Sequence, residues 1–177
     1  MTLIADLWRK PEQLVFLFLV ACAAVLLMAL GLEYLGGYMP CELCLKERYA
    51  YYVGIPLAIG ASALIGAGRP PLATFLIGLA GLGLLANAGL GLYHAGVEWH
   101  WWAGPSTCTG GAPLATTPEE MLKALQNQKV VRCDQPALTV LWLSLAAWNV
   151  PVGLGLAAVA AQAARKLLTP GAGRARA

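Results

Sequence analysis

Charged residues are scarce in this sequence: Asp, Glu, Lys and Arg make up only 12% of its 177 residues, whereas 59% are hydrophobic. A soluble domain needs more polar surface than this, so the composition excludes an ordinary soluble protein. The formal net charge is only +3, and we expect no nucleic-acid partner. Motifs for binding haem or flavin are also absent.

Long uncharged runs account for the hydrophobic excess. A bilayer core of about 30 Å is crossed by roughly 20 apolar residues in a helix. Segments that meet this length lie at about 13–32, 49–67, 71–92 and 137–163. The sequence therefore predicts an all-α integral membrane protein, a four-transmembrane-helix bundle forming a single membrane domain over 1–177. Its longer loops fall at about 33–48 and 93–136.

The basic residues indicate the orientation of this bundle. If both termini and the turn at 67–71 share one side, that side carries seven of the twelve Lys and Arg residues. The positive-inside rule then places both termini in the cytoplasm and both longer loops outside. In a bacterium, this describes a multi-pass inner-membrane protein with periplasmic loops.

Four of the five cysteines fall on the outer side in this orientation. They are Cys41, Cys44, Cys108 and Cys133, whereas Cys22 lies within the first span, where we expect it to be buried. The periplasm permits disulfides, and zinc sites usually combine paired short motifs, of which this chain has one. Two disulfides are therefore favoured over a metal site, and we expect no metal.

The CxxC motif lies in the sequence Pro40-Cys41-Glu42-Leu43-Cys44, between the first two spans. Pro40 is tolerated only in the first turn of a helix, so a helix is expected to begin around Cys41. The positive end of the helix dipole favours thiolates there. Arg48 follows Cys44 by one turn, where it would stabilise a Cys44 thiolate and donate to a ligand carbonyl. The motif alone leaves a structural disulfide or half of a zinc site open.

The second outer loop contains the other two cysteines. Cys108 lies in a Gly-rich arm that we expect to face water, and Cys133 immediately precedes the fourth span. A bridge between them could be purely structural, because closing a loop of 25 residues contributes on the order of 3 kcal/mol. Between them, Thr117-Pro118-Glu119 has the pattern of a helix start, which predicts a short interfacial helix.

Two polar residues, Asn87 and His94, lie in or at the end of the third span. Asn87 is expected to form an interhelical hydrogen bond rather than to contact a ligand. His94 lies where this span meets the side that carries Arg48. It is a candidate for contact with a bound cofactor, although an interfacial position is the simpler interpretation.

The sequence resembles the bacterial disulfide bond formation protein B (DsbB) family over nearly the whole chain. The resemblance rests on the four-span layout, on the Pro-Cys-x-x-Cys motif with Arg48, and on the later cysteines in Gly-Pro-Ser-Thr-Cys108 and Val-Arg-Cys133-Asp. Members of that family reoxidise a periplasmic thioredoxin-like dithiol oxidase (DsbA) and pass its electrons to membrane quinone. The resemblance implies the same partner and acceptor here, with ubiquinone favoured over menaquinone.

The resemblance also implies roles for individual residues. Cys108 would form the mixed disulfide with the partner, and Cys133 would resolve it. Cys41 and Cys44 would receive the electrons, with Cys44 nearest the quinone. Arg48 would orient a quinone oxygen and hold Cys44 as a thiolate.

Two other functions remain open at this stage. One reverses the electron flow, as in a vitamin K epoxide reductase-type enzyme or another membrane thiol reductase. That route would need thiols accessible from the cytoplasmic side. The other is a non-enzymatic tetraspan scaffold with structural disulfides only, which predicts four permanently oxidised cysteines.

Overall fold

The protein forms four long helices and a small β-hairpin in a computed structural model that describes residues 10–105, 108 and 131–169. In chain order these elements are α1 (Pro11–Tyr34), α2 (Glu42–Gly66), α3 (Pro70–Glu98), β1 (Thr139–Val140), β2 (Leu143–Ser144) and α4 (Leu145–Leu168). Each helix is long and apolar enough to cross a membrane. The predicted four-helix membrane fold is therefore confirmed, whereas the predicted interfacial helix lies outside the described residues.

The helices pack in a closed ring. Each contacts the next along the chain, α4 returns to α1, and the contact between α3 and α4 is the most extensive. The side chains between the helices include many small ones, such as Ala58, Ala80 and Ala160, which allow close approach. Large apolar side chains such as Phe16 and Phe75 point outward. An apolar exterior around small interior residues suits a bundle surrounded by lipid.

Proline and glycine mark the connection between α2 and α3. Helix α2 ends at Gly66, and α3 begins with Pro70, which lacks the N–H that a first helical residue leaves unpaired. Between them, Gly68 has a φ of 69°, a conformation that glycine adopts without steric cost. The tight turn predicted for this segment is confirmed.

The predicted start of the fourth span at 137 is wrong. Residues 139–144 form an antiparallel hairpin, and α4 begins only at Leu145. The two turn residues, Leu141 and Trp142, have φ of 51° and 65°, as a two-residue hairpin turn requires. Ser144 then caps α4, because its hydroxyl accepts a hydrogen bond from the backbone N–H of Ala147. In addition, α3 continues past the predicted end at 92 to Glu98.

The antiparallel order of the helices brings four helix ends together at one end of the bundle. These are the end of α1, the beginning of α2, the end of α3 and the beginning of α4. Cys22 lies in the middle of α1, away from this end, and is fully buried as predicted. The other four cysteines lie at this shared end, where the functional site is formed.

Candidate functional site

The thiol of Cys41 caps the N-terminus of α2. Cys41 has an extended backbone, and its Sγ accepts a hydrogen bond of 3.2 Å from the backbone N–H of Cys44. The Sγ atoms of Cys41 and Cys44 are 2.7 Å apart, and both residues are free thiols. The helix therefore begins where the sequence predicted, with Cys41 as its N-cap.

Cys41, rather than Cys44, is the sulfur that the surrounding groups favour as a thiolate. The hydrogen bond from the Cys44 side chain is the largest influence on Cys41, and it lowers the pKa of that thiol. Burial opposes it, but His94 and the backbone N–H of Cys44 act in the same direction, and the resulting pKa is about 5. Cys41 lies before the first residue of α2, where unpaired N–H groups and the helix dipole also favour negative charge. At neutral pH the pair therefore carries a thiolate on Cys41.

The lowered pKa predicts the pH profile of alkylation. The rate for Cys41 in the reduced protein should be half-maximal near pH 5 and level off about one pH unit higher, because the thiolate is the reacting species. An ordinary cysteine would reach half-maximal rate near pH 8.5. The measurement is iodoacetamide labelling followed by mass spectrometry. His94→Gln should move the midpoint upward, and a wild-type rate still rising between pH 7 and pH 9 would contradict the assignment.

The second cysteine pair lies against the first. Cys108 and Cys133 form a disulfide whose Cα atoms are 5.2 Å apart. Both belong to one buried cluster with Cys41, Leu43 and Val97. The side chain of Cys108 is only 1% exposed, so the prediction that it faces water on an open arm is wrong. The physical reason is that the arm packs its cysteine against apolar residues at the ends of α2 and α3.

An exposed ion pair flanks Cys133. The Nε and Nη2 atoms of Arg132 donate to the two carboxylate oxygens of Asp134, at 2.8 and 2.5 Å. The hydrogen bonds from the guanidinium lower the pKa of Asp134. The pair bridges the residues on either side of Cys133 at the surface.

A chain of buried polar groups begins at Cys41. Its Sγ lies 3.5 Å from Nε2 of His94, whose Nδ1 donates to Oε1 of Glu47 at 2.7 Å. The other oxygen of Glu47 accepts a hydrogen bond of 2.8 Å from Asn149 on α4. Contacts between side chains of α2, α3 and α4 thus connect the thiols to the interior of the bundle.

This series of buried hydrogen bonds ends at Asn149, which accepts two more. Tyr51 donates to its Oδ1 at 2.6 Å, and Asn87 donates to the same atom at 3.5 Å. The interhelical hydrogen bond predicted for Asn87 is therefore confirmed.

Sequence reasoning missed Glu47, Asn149 and Tyr51 as members of the site. A signal was nevertheless present, because Cys44, Glu47 and Tyr51 follow one another at spacings of three and four and share a helical face. An ionisable residue on such a face of a membrane helix usually marks a functional interior.

An apolar cavity of about 160 Å³ adjoins Cys44. Its lining is mostly apolar and comes mainly from α1, α2 and α4. The lining residues with polar groups are Tyr38, Cys44, Glu47, Arg48, Tyr51 and Asn149. Of the two CxxC cysteines, it is Cys44 that lines this cavity. His94 contacts Cys41 and Glu47, so it reaches the cavity only through Glu47.

Arg48 lines the cavity without pairing with Cys44. Its Nη1 donates to the carboxylate of Glu33, at the end of α1, and its Nη2 donates to the carbonyl of Ala29 at 3.4 Å. The predicted contact between the guanidinium and a Cys44 thiolate is therefore replaced by an ion pair between helices. The reason is that Glu33 places a carboxylate within reach of Arg48, and a carboxylate matches the fork of donors on a guanidinium.

At one end of this membrane bundle, the Cys108–Cys133 disulfide packs against the Cys41/Cys44 dithiol, and the dithiol adjoins the apolar cavity. A buried disulfide in contact with a thiolate-bearing CxxC pair is the arrangement of a membrane thiol–disulfide oxidoreductase. The lipid-facing helices make it a multi-pass membrane protein.

Comparison with known proteins identifies the family. The family model described as disulfide bond formation protein DsbB matches residues 11–163. Disulfide bond formation protein B of Herminiimonas arsenicoxydans is 32% identical over 140 residues, covering 75% of this chain and 82% of that protein. Disulfide bond formation protein B 2 of Pseudomonas syringae pv. syringae is 30% identical, covering 84% of this chain and 85% of its own. No solved structure is significantly similar. The chain belongs to the DsbB family and is a disulfide bond formation protein.

Proposed function

We propose that this protein is a bacterial inner-membrane thiol oxidase with both termini in the cytoplasm. It reoxidises a periplasmic, thioredoxin-like dithiol oxidase of the DsbA type and passes the electrons to membrane quinone. The electrons enter at Cys108 and Cys133, continue to Cys41 and Cys44, and leave through the cavity beside Cys44.

The observation that carries this proposal is the position of the CxxC pair between two different neighbours. Cys41 packs in one buried cluster with the Cys108–Cys133 disulfide, whereas Cys44 lines the apolar cavity. Disulfide exchange requires one sulfur to attack another directly, so a relay works only where the pairs touch. The contact supports transfer from the outer pair to Cys41 and from there to Cys44.

The exchange steps balance without a further reactant. A dithiol partner reduces the Cys108–Cys133 disulfide and becomes a disulfide itself. The Cys133 thiolate then attacks Cys41 of an oxidised Cys41–Cys44 pair and releases the Cys44 thiolate. Attack by Cys108 on Cys133 restores the outer disulfide and leaves both electrons on Cys41 and Cys44. The arrangement of one disulfide and two free thiols in the structure corresponds to this last state.

The residues around the cavity fit a quinone ring. Apolar side chains, including Leu26, Met28 and Val152, line most of it. Arg48 offers hydrogen-bond donors to a carbonyl oxygen at the end where Cys44 supplies a sulfur. When bound, a quinone supplies an acceptor for two electrons and two protons. We expect ubiquinone, with menaquinone as the alternative.

The low pKa of Cys41 suits the step that regenerates the pair. Closing the Cys41–Cys44 disulfide removes two electrons from the pair, which a bound quinone would accept, and the sulfur that bonds to Cys44 must be deprotonated. Cys41 is a thiolate at neutral pH and lies 2.7 Å from the sulfur of Cys44. His94 holds Cys41 in place, and Glu47 holds His94 through its Nδ1.

The alternatives fit the structure less well. A scaffold with structural disulfides gives no reason for Cys44 to line an apolar cavity or for His94 to contact Cys41. A reductase supplied from the cytoplasm requires a thiol on that side. The remaining cysteine, Cys22, is fully buried inside the bundle.

The partner is tested by trapping its mixed disulfide. In a Cys133→Ala variant, Cys108 has lost the sulfur that would resolve the adduct, so a disulfide with the partner should accumulate in the bacterial envelope. We expect a band on non-reducing gels that mass spectrometry assigns to Cys108 joined to a thioredoxin-like protein. Because Cys108 is buried in the resting protein, formation of this adduct also requires that partner binding uncovers it.

The matched control is the double variant Cys108→Ala/Cys133→Ala, which also removes the sulfur that would bond to the oxidised partner and keeps the rest of the chain. It should give no adduct. The same adduct in the double variant, or no adduct with Cys133→Ala alone, would contradict the proposed entry of electrons through Cys108.

A further inference from the structure

We propose that the reduced Cys41/Cys44 pair, together with His94 and Glu98, forms a binding site for Zn²⁺. The sequence argued against a metal because it contains only one CxxC motif. The structure supplies the missing donors from the end of α3. This proposal needs only the reduced pair and does not rest on the quinone or on the partner protein.

Three of the donor atoms already lie together. Sγ of Cys41, Sγ of Cys44 and a ring nitrogen of His94 are all within 4.8 Å of one another. The Cys41 Sγ to His94 Nε2 distance is 3.5 Å, and the bond lengths of tetrahedral zinc give a sulfur–nitrogen edge of about 3.6 Å. Two thiolates and an imidazole are ligands that Zn²⁺ prefers in proteins.

One sulfur must move to admit the ion. The two Sγ atoms are 2.7 Å apart, whereas tetrahedral zinc requires a sulfur–sulfur edge of about 3.8 Å. Cys44 is half-buried and lines the cavity, so its side chain has space to rotate away from Cys41. The backbone does not have to change.

Glu98 provides the independent sign that a cation belongs here. Its side chain is only 6% exposed, and its Oε1 lies 3.9 Å from Nε2 of His94. Its Oε2 is buried and has no hydrogen-bond partner among the described residues. A buried carboxylate oxygen without a partner is costly unless a cation or a donor satisfies it. Glu98 lies beside the three donors rather than among them, so its carboxylate would turn toward the ion to become the fourth ligand.

Glu47 prepares His94 to act as a ligand. Metal-binding histidines commonly donate their second ring N–H to a carboxylate, which fixes the tautomer and orients the ring. Here Nδ1 of His94 donates to Oε1 of Glu47 at 2.7 Å. The remaining nitrogen, Nε2, faces Cys41 and Glu98, and its lone pair becomes available to the ion once its proton has left.

Binding would involve no change in oxidation state. Cys41 is already a thiolate, so the Cys44 thiol and Nε2 of His94 release their protons, the ion bonds to both sulfurs, and no electrons are transferred. A bound ion occupies both sulfurs, so it prevents the Cys41–Cys44 disulfide from closing. Zn²⁺ should therefore hold the pair in its reduced form, and the oxidised pair should have no site.

Titration with Co²⁺ tests the site, because tetrahedral Co²⁺ bound to thiolates absorbs visible light strongly and serves as a probe for zinc. The full-length protein in detergent is reduced with a phosphine, which is then removed before titration. We expect one Co²⁺ per chain, displaced by Zn²⁺. His94→Gln and Glu98→Gln should each weaken binding by roughly 10–100-fold, the usual effect of losing a ligand or its support.

Glu42→Gln is the matched control, because it changes the same residue type within the same motif, on a side chain that is 38% exposed and paired with Lys46. It should bind Co²⁺ like the wild type. Absence of stoichiometric Co²⁺ binding to the reduced wild type would overturn the proposal, as would unchanged affinity in both His94→Gln and Glu98→Gln.

A second measurement needs no variant. Zn²⁺ at one equivalent should slow alkylation of Cys41 and Cys44 in the reduced wild type by at least about tenfold, because metal-bound sulfurs are not free nucleophiles. Mass spectrometry reads each cysteine separately. Equal alkylation with and without Zn²⁺ would also overturn the site. Neither assay contains quinone or the partner protein. A failure to bind metal can therefore be distinguished from a failure of the proposed oxidase activity.

Discussion

Cys44→Ala should abolish quinone reduction while the chain remains folded. Cys44 is the CxxC sulfur that lines the cavity, and no other described thiol lines it. Removal of a group that acts in the reaction itself should lower turnover by on the order of 10³-fold or more. The assay mixes purified protein, a reduced thioredoxin-like partner and ubiquinone, and follows formation of quinol.

Cys22→Ala is the control for this experiment. It also replaces a buried cysteine with alanine, but Cys22 lies in the middle of α1 and belongs to the main core rather than to the cluster around Cys41. Its turnover should stay within about twofold of the wild type. Turnover by Cys44→Ala within about tenfold of the wild type would remove Cys44 from the electron path and contradict the proposed function.

Gly81→Leu should destabilise the bundle, because it adds a side chain where α3 and α4 pack closely. Gly81 lies on α3, and a Cβ added there would be 2.8 Å from the Cβ of Ala160 on α4, closer than real contacts allow. The leucine would force the two most extensively packed helices apart. Overpacking of this kind costs about 1–3 kcal/mol, occasionally more. Denaturant unfolding in detergent, followed by circular dichroism, measures the change.

Gly83→Leu is the comparison that isolates packing. Gly83 lies two residues further along α3, is exposed, and has no atom within 4 Å of an added Cβ. The helix propensity changes equally at both positions, so only the contact with α4 differs. The free energy of unfolding of Gly83→Leu should be unchanged or slightly higher. Equal destabilisation by both variants would show that close approach of α3 and α4 at Gly81 is unimportant.

The polar groups inside the bundle are connected rather than isolated. Glu47 contacts His94 and Asn149, so one carboxylate joins α2 to α3 and α4. Ionisable groups are costly in a membrane interior unless they are paired. The same hydrogen bonds that satisfy Glu47 also position His94 against Cys41. Stability of the bundle end and geometry of the thiol pair therefore depend on one network.

Local sequence was sufficient to predict the architecture. Four runs of about 20 apolar residues require four membrane helices, since each backbone must satisfy its own hydrogen bonds in lipid. Pro40 before the CxxC motif predicted the start of α2, and Gly68 with Pro70 predicted the turn before α3. These features depend on residues within a few positions of one another. The structure confirms each of them.

The features that sequence reasoning missed depend on residues far apart in the chain. Arg48 pairs with Glu33 and not with Cys44, Cys108 is buried against Cys41, and Glu47 faces His94. The apolar residues 137–144 were compatible with a helix by composition, but they form a hairpin capped by Ser144. Hydropathy reports how apolar a segment is, not which neighbour it meets.

One physical cause explains why the helices could be predicted from the sequence and the contacts of the site could not. Transfer into lipid is a property of each segment, so hydrophobicity alone determines which segments become membrane helices. Which sulfur becomes a thiolate, and which faces the cavity, depends on charges and donors that other helices supply. The cysteines of the proposed relay could therefore be predicted from the sequence, whereas the contacts of Cys41 with His94, and of His94 with Glu47, were decided only when the helix ends came together.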